Sequence, residues 1–254
     1  MTSVAANERT LVSLPVSPFS ERARWALDHH RLRYRTIVHE PFIGEAKLQK
    51  LVGPGKKATA PALIEHGIVI GDSTLIARHA DIHGEGSPLF LSGKDAELAH
   101  WLTLANETSA AGRVLVSVAL LKNGGALDET LPRRLGQLRP LLRPVTRYGT
   151  RWFARKYNFG LDAAAVAAAT AAVRAGLDAV REGLHGKRYV LDEFSYADIL
   201  VALLLQMVTP VQHAAYPLKP ATRAAWTSPQ LAKEFADLVE WRDALYTRHR
   251  LLPV

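Results

Sequence analysis

A chain of 254 residues, 48% of them hydrophobic, is long enough for two domains and can bury a real core. Cysteine is absent, which excludes disulfides, zinc–thiolate sites and a cysteine nucleophile and suits a reducing, cytoplasmic setting. Lysine and arginine number 32 against 24 acidic residues, and residues 133–156 alone hold eight basic side chains and no acid, so the net charge of +8 describes one local patch.

No secretion signal is expected in the short polar start, and no apolar run nears the roughly 18 residues of a membrane span. Residues 11–14 read as a strand that turns at Pro15 into a helix. Ser17 suits the N-cap of that helix and Pro18 its first position, where no backbone N–H is needed. The Ser17 hydroxyl then sits where backbone N–H groups and the helix dipole favour negative charge. By itself this stretch is equally well read as a serine that only caps its own helix. Ser20, one turn on, is the other hydroxyl near that place.

A second strand follows over 33–39 and a short helix over 45–52. The loop 53–57 precedes two short apolar strands, 62–65 and 68–70, joined by a His66-Gly67 hairpin. Asp72 or Ser73 caps the next helix. A right-handed crossover makes the first two strands parallel, and the hairpin adds antiparallel ones. His79 and His83 have the spacing of metal ligands, but no third ligand is evident and no metal is expected. Residues 84–93 are a composition break and the expected linker.

No strand is expected beyond the linker. Helical spacing marks 95–121, stopped by Asn123-Gly124-Gly125. Residues 127–142 read as helix broken at prolines, and 161–184 as an alanine-rich helix. Ser195 and Asp198 form a capping box before an apolar run, 199–208, that reads as a central buried helix. A last amphipathic helix is expected over 231–246. Arg139, Arg143, Arg147, Arg151 and Arg155 recur every fourth residue among aromatic side chains, as a solvated face or an anion site would have them. Nothing matches a nucleic-acid-binding module.

An α/β part of about 80 residues before an all-helical part resembles the cytosolic glutathione transferases. Ser17-Pro18-Phe19-Ser20 is similar to their active-site helix start, with Ser17 at the position of the catalytic serine or cysteine. Ala60-Pro61 resembles their cis-proline, Asp72-Ser73 their γ-glutamyl-binding pair, and 194–198 the cap of their central helix. The family more often has Glu or Gln where this chain has Asp72. The resemblance spans roughly residues 10–250.

It implies a thioredoxin-like N-terminal domain over 10–83, the linker, and an all-helical C-terminal domain over 94–254. It also implies a homodimer, with glutathione as co-substrate and no metal. Ser17 would donate a hydrogen bond to the glutathione thiolate. Lys57, Ala60, Pro61, Asp72 and Ser73 would hold the tripeptide, while Ser195 and Asp198 are structural. Phe19, Trp101, Asn106 and Arg113 are candidates for the acceptor site. The expected reaction is thiolate attack on an electrophilic, partly apolar or anionic acceptor. A non-catalytic carrier of the same fold, or a glutathione-dependent isomerase or dehalogenase, are the other readings.

Overall fold

The computed structural model describes residues 9–55 and 58–253. The chain begins β1 (Thr10–Ser13), α1 (Pro18–His29), β2 (Arg35–Val38), α2 (Glu45–Val52), β3 (Ala62–Glu65), β4 (Ile68–Ile70) and α3 (Ser73–His83). This βαβαββα order is the thioredoxin-like arrangement. The sheet order is β2-β1-β3-β4, with β1 parallel to β2 and antiparallel to β3. All four residues of β1 are buried, as a strand covered on both faces must be.

The rest is helical: α4 (Asp95–Lys122), α5 (Gly124–Glu129), α6 (Arg143–Lys156), α7 (Ala163–Leu184), α8 (Tyr196–Ala202), α9 (Pro220–Trp226), α10 (Pro229–Glu234) and α11 (Ala236–His249). The capping box at α8 is present. Asp198 accepts from the Ser195 N–H at 2.9 Å and from the Val190 N–H at 2.9 Å. Every residue of α8 is buried, and so is the 3-10 turn Leu203–Met207 that continues it. This element is the centre of the main core, between α1 and the helices that surround it.

Small residues set the spacing of α4 against α7. A Cβ on Gly176 would lie 2.2 Å from Thr108 Oγ1, and one on Gly183 would lie 2.3 Å from the Trp101 ring. By length and composition α7 could cross a membrane, which the short apolar runs did not foretell. In this fold its buried residues, among them Val173, Leu177 and Val180, join the core along one face.

The stop expected at Asn123 is present: α4 ends at Lys122, Asn123 is extended at φ −113 and ψ 107, and its side chain then caps the separate short helix α5, accepting from the Ala126 N–H at 3.0 Å. Two expected elements differ. Residues 127–142 are not one broken α-helix, because a 3-10 stretch, Arg133–Leu142, intervenes and Gly136 breaks it at φ 46. The helix expected over 231–246 is divided at Phe235, whose ψ of 34 is not helical, and α9 precedes it unforeseen.

The two parts of the chain are tied by long-range contacts. Arg250 donates to Glu21 and Asp28, Trp25 Nε1 donates to the His249 carbonyl at 3.2 Å, and the Tyr216 hydroxyl donates to the Val16 carbonyl at 2.7 Å.

Candidate active site

A cleft of about 680 Å³ opens where the N-termini of α1 and α3 face α4 and α6. Ser17 lies on its wall with N-cap geometry, φ −79 and ψ 127. Its hydroxyl oxygen accepts from the Ser20 N–H at 3.4 Å, and its carbonyl accepts from the Glu21 N–H at 3.0 Å. The Ser17 hydroxyl hydrogen has no acceptor among the described residues, so it is available to a ligand. Ser20 is buried, and its Oγ accepts from the Leu14 N–H at 3.0 Å. That bond turns Ser20 into the strand-to-helix joint, and of the two serines only Ser17 lines the cleft.

Ala60, Pro61, Asp72 and Ser73 line the same cleft, and the Ala60-Pro61 peptide is cis. Asp72 caps α3, accepting from the Thr74 and Leu75 N–H groups at 2.8 and 3.1 Å. Ser73, at the first position of α3, is buried. Two helix N-termini therefore face one cavity, an arrangement that favours anionic groups. Lys57 lies outside the described residues.

Much of the remaining lining is apolar. Phe19 and Arg113 both belong to the cleft, and the Arg113 guanidinium sits 5.9 Å from the Phe19 ring centre. Burial holds Arg113 below the ordinary arginine value, but a guanidinium stays charged in a protein.

Two of the four acceptor-site candidates lie elsewhere. Trp101 is packed against Gly183 of α7 and faces a shallow recess of about 470 Å³ beside Lys94 and His100. Asn106 accepts from Arg22 at 2.8 Å and belongs to the contact between α4 and α1. The arginine stripe does not enter the cleft either. Arg147 donates to the Leu121 carbonyl at 2.8 Å, Arg143 pairs with Asp128 at 2.6 Å, and Arg151 and Arg155 are exposed.

Other residues on the lining carried no sequence signal that singled them out. Lys156 of α6 pairs with Glu45 of α2 at 2.6 Å, and His39 lies 3.3 Å from the same carboxyl group. Burial pushes His39 down, while Glu45 pulls it up. Phe42 meets Tyr148 and Trp152 of α6 with ring centres 5.6 and 5.7 Å apart. These contacts hold α6 along one side of the cleft. A helix-start acid at Glu45 and a cation at the end of α6 were the available clues, but their pairing spans 111 positions.

Away from the cleft, His79 Nε2 faces Glu65 at 2.6 Å, and the His83 ring stacks on His79. Among the described residues no group of three or more His, Asp or Glu side chains could hold a metal ion.

Residues 11–88 match the family of the glutathione S-transferase N-terminal domain. That segment carries the glutathione S-transferase N-terminal domain. The whole chain has the cytosolic glutathione transferase fold. A glutathione transferase from Phanerochaete chrysosporium superposes with a TM-score of 0.62 at 17% identity, covering 98% of this chain and 99% of that one. A glutathione S-transferase from Methylobacterium radiotolerans, in complex with glutathione sulfonate, has a TM-score of 0.61 at 15% identity, covering 95% and 92%. The nitrogen regulation fragment of the yeast prion protein Ure2p is as similar, with a TM-score of 0.61 at 18% identity over 98% and 96%. No curated protein matches the sequence. The glutathione transferase fold thus accounts for where the cleft lies, and these identities leave its chemistry to the residues.

Proposed function

We propose that the chain is a glutathione transferase that stabilises the glutathione thiolate with Ser17 and directs it at an electrophilic, partly apolar acceptor. The reading rests on one observation. Ser17, with a free hydroxyl hydrogen at the N-terminus of α1, shares a cleft with Ala60, Ser73 and a largely apolar lining.

A free thiol has a pKa near 8.5, and lowering it by about two units takes roughly 2.7 kcal/mol in favour of the anion. A hydroxyl donor together with a helix N-terminus is a source of that size. The Ala60 backbone would pair with the cysteinyl backbone of glutathione as an added strand does. Ser73 and its N–H would hold the γ-glutamyl carboxylate at the start of α3. Asp72 would reach the ammonium group while it caps that helix. Phe19 would lie on the acceptor side. The same reading makes the chain a cytoplasmic homodimer, and exposed Ile68, Leu75 and Ile82 on β4 and α3 are apolar surface that a second copy would cover.

Calorimetry with glutathione tests the reading. Ser73→Ala should weaken binding by about 1.5–3 kcal/mol, the scale of a charge-assisted hydrogen bond. Equal affinity in wild type and variant would remove the tripeptide from α3. Light scattering that gave a monomer at every concentration would remove the dimer. Tight binding of apolar ligands with no turnover of an electrophile panel would favour the carrier.

A further inference from the structure

The Arg113 cation of the cleft has no counter-charge. Arg113 leaves α4 half-buried, with its guanidinium 4.7 Å from the Tyr157 ring centre and 5.9 Å from that of Phe19. It makes no hydrogen bond or ion pair among the described residues, and besides burial only Tyr157 acts on its charge. The other charged groups of the lining are engaged or at the mouth. Lys156 and His39 share Glu45, Glu129 accepts from the Ala221 and Thr222 N–H groups, Lys219 donates to the Glu129 carbonyl, and Asp72 caps α3. Glu40 is exposed.

A partly desolvated cation without a partner is unfavourable unless something supplies the anion. Here the cation lines a largely apolar cleft of about 680 Å³, room for an aromatic body, and a carboxylate suits the planar guanidinium fork. We propose that Arg113 is the anion anchor of the acceptor site, and that the acceptor is an aromatic electrophile bearing a carboxylate. This rests on the transferase reading for the word electrophile, but the anchor itself does not need glutathione. Phe19 and Ser17 line the same cleft as Arg113, so a ring held on Phe19 and Arg113 shares that cleft with the expected thiolate. For an aryl halide, sulfur would form a bond to the ring carbon, the carbon–halogen bond would break, and halide would leave with the electron pair. The carboxylate takes no part in the bond changes and stays on Arg113.

Calorimetry of the full chain with 4-chloro-3-nitrobenzoate and with its methyl ester, without glutathione, tests the anchor. Wild type should prefer the benzoate. Arg113→Gln should weaken the benzoate about 10- to 100-fold and leave the ester within about twofold. Arg113→Lys should fall between, since it keeps the charge and loses the fork. Equal binding of benzoate and ester by wild type, or an equal loss of both in Arg113→Gln, overturns the proposal. If Arg113→Gln melts early, the wild-type preference and Arg113→Lys decide. Glutathione titrated separately keeps the two readings apart. A benzoate preference without glutathione binding sustains the anchor and ends the transferase reading. Glutathione binding without a benzoate preference does the reverse, and glutathione affinity that drops in Arg113→Gln assigns Arg113 to the tripeptide and overturns the anchor.

Discussion

Leu14 donates its backbone N–H to the Ser20 hydroxyl at 3.0 Å, across the turn that carries β1 into α1. The two serines of this turn should therefore separate by phenotype. Ser20→Ala leaves the partly buried Leu14 N–H unpaired and should cost about 1–3 kcal/mol of stability, read by urea unfolding. Ser17→Ala loses a long cap bond, but turnover should fall by about 10–10³-fold as the thiolate loses a preorganised donor. If Ser20→Ala abolished turnover in a stable protein, the roles would be exchanged. Ser17→Cys places a thiol at a helix N-terminus, where its pKa is lowered. With oxidised glutathione that thiolate should displace one glutathione thiolate and form a mixed disulfide, visible as a single adduct at residue 17 by mass spectrometry.

Gly176 lies against Thr108, and a β-branched side chain cannot swing its Cβ substituents away. Gly176→Ala should therefore destabilise by about 1–3 kcal/mol despite the better helix propensity of alanine. Adding Thr108→Ala should return part of the loss. A thermal melt in which Gly176→Ala equals or exceeds wild type would show that α4 and α7 are not so close.

Asp198 is pushed up to about 6 from 3.8, mainly by burial, with the Val190 and Ser195 bonds pulling it back. A carboxyl group with a raised folded-state pKa contributes stability at low pH that is lost as pH rises through the folded value. From pH 4 to 6.5 this group alone should remove about 2 kcal/mol. Asp198→Asn cannot titrate. Its stability relative to wild type should improve by about that amount over the same window, in urea unfolding at each pH. A constant difference from pH 4 to 6.5 would mean that Asp198 is not buried in its charged form.

Arg250 donates at 2.7 Å to Glu21 and at 2.8 Å to Asp28, and all three side chains are buried. Arg250→Met leaves Asp28 without a cation and should cost about 3–5 kcal/mol, the scale of breaking a buried ion pair. Chemical denaturation with the loss confined to less than 1 kcal/mol would place the pair in a wetter setting.

The parts of the site legible in the sequence are those written in adjacent residues. Ser17 before Pro18, Ala60 before Pro61, Asp72 before Ser73 and Ser195 three before Asp198 each specify a local backbone shape, so their positions survive folding unchanged. The acceptor wall was less legible because it depends on the rotation of α4 and on what each of its faces meets. Trp101 and Asn106 are five residues apart and so about 140° apart around the helix. Asn106 and Arg113, seven apart, share a face, but Asn106 is level with Arg22 and only Arg113 is level with the cleft. The α6 side of the cleft was not legible at all. It is made by Phe42 on Tyr148 and by Glu45 on Lys156, pairings that no local pattern encodes.

The bond from Arg250 to Glu21 joins positions 229 apart. During synthesis the βαβαββα unit leaves the ribosome with Asp28 lacking its cation and the Trp25 indole N–H lacking its acceptor, because residues 249 and 250 do not yet exist. The unit is therefore not finished when its own residues have been made. It should hold its native arrangement only after α11 arrives, and a fragment ending near residue 90 should not stand alone as a glutathione-binding module.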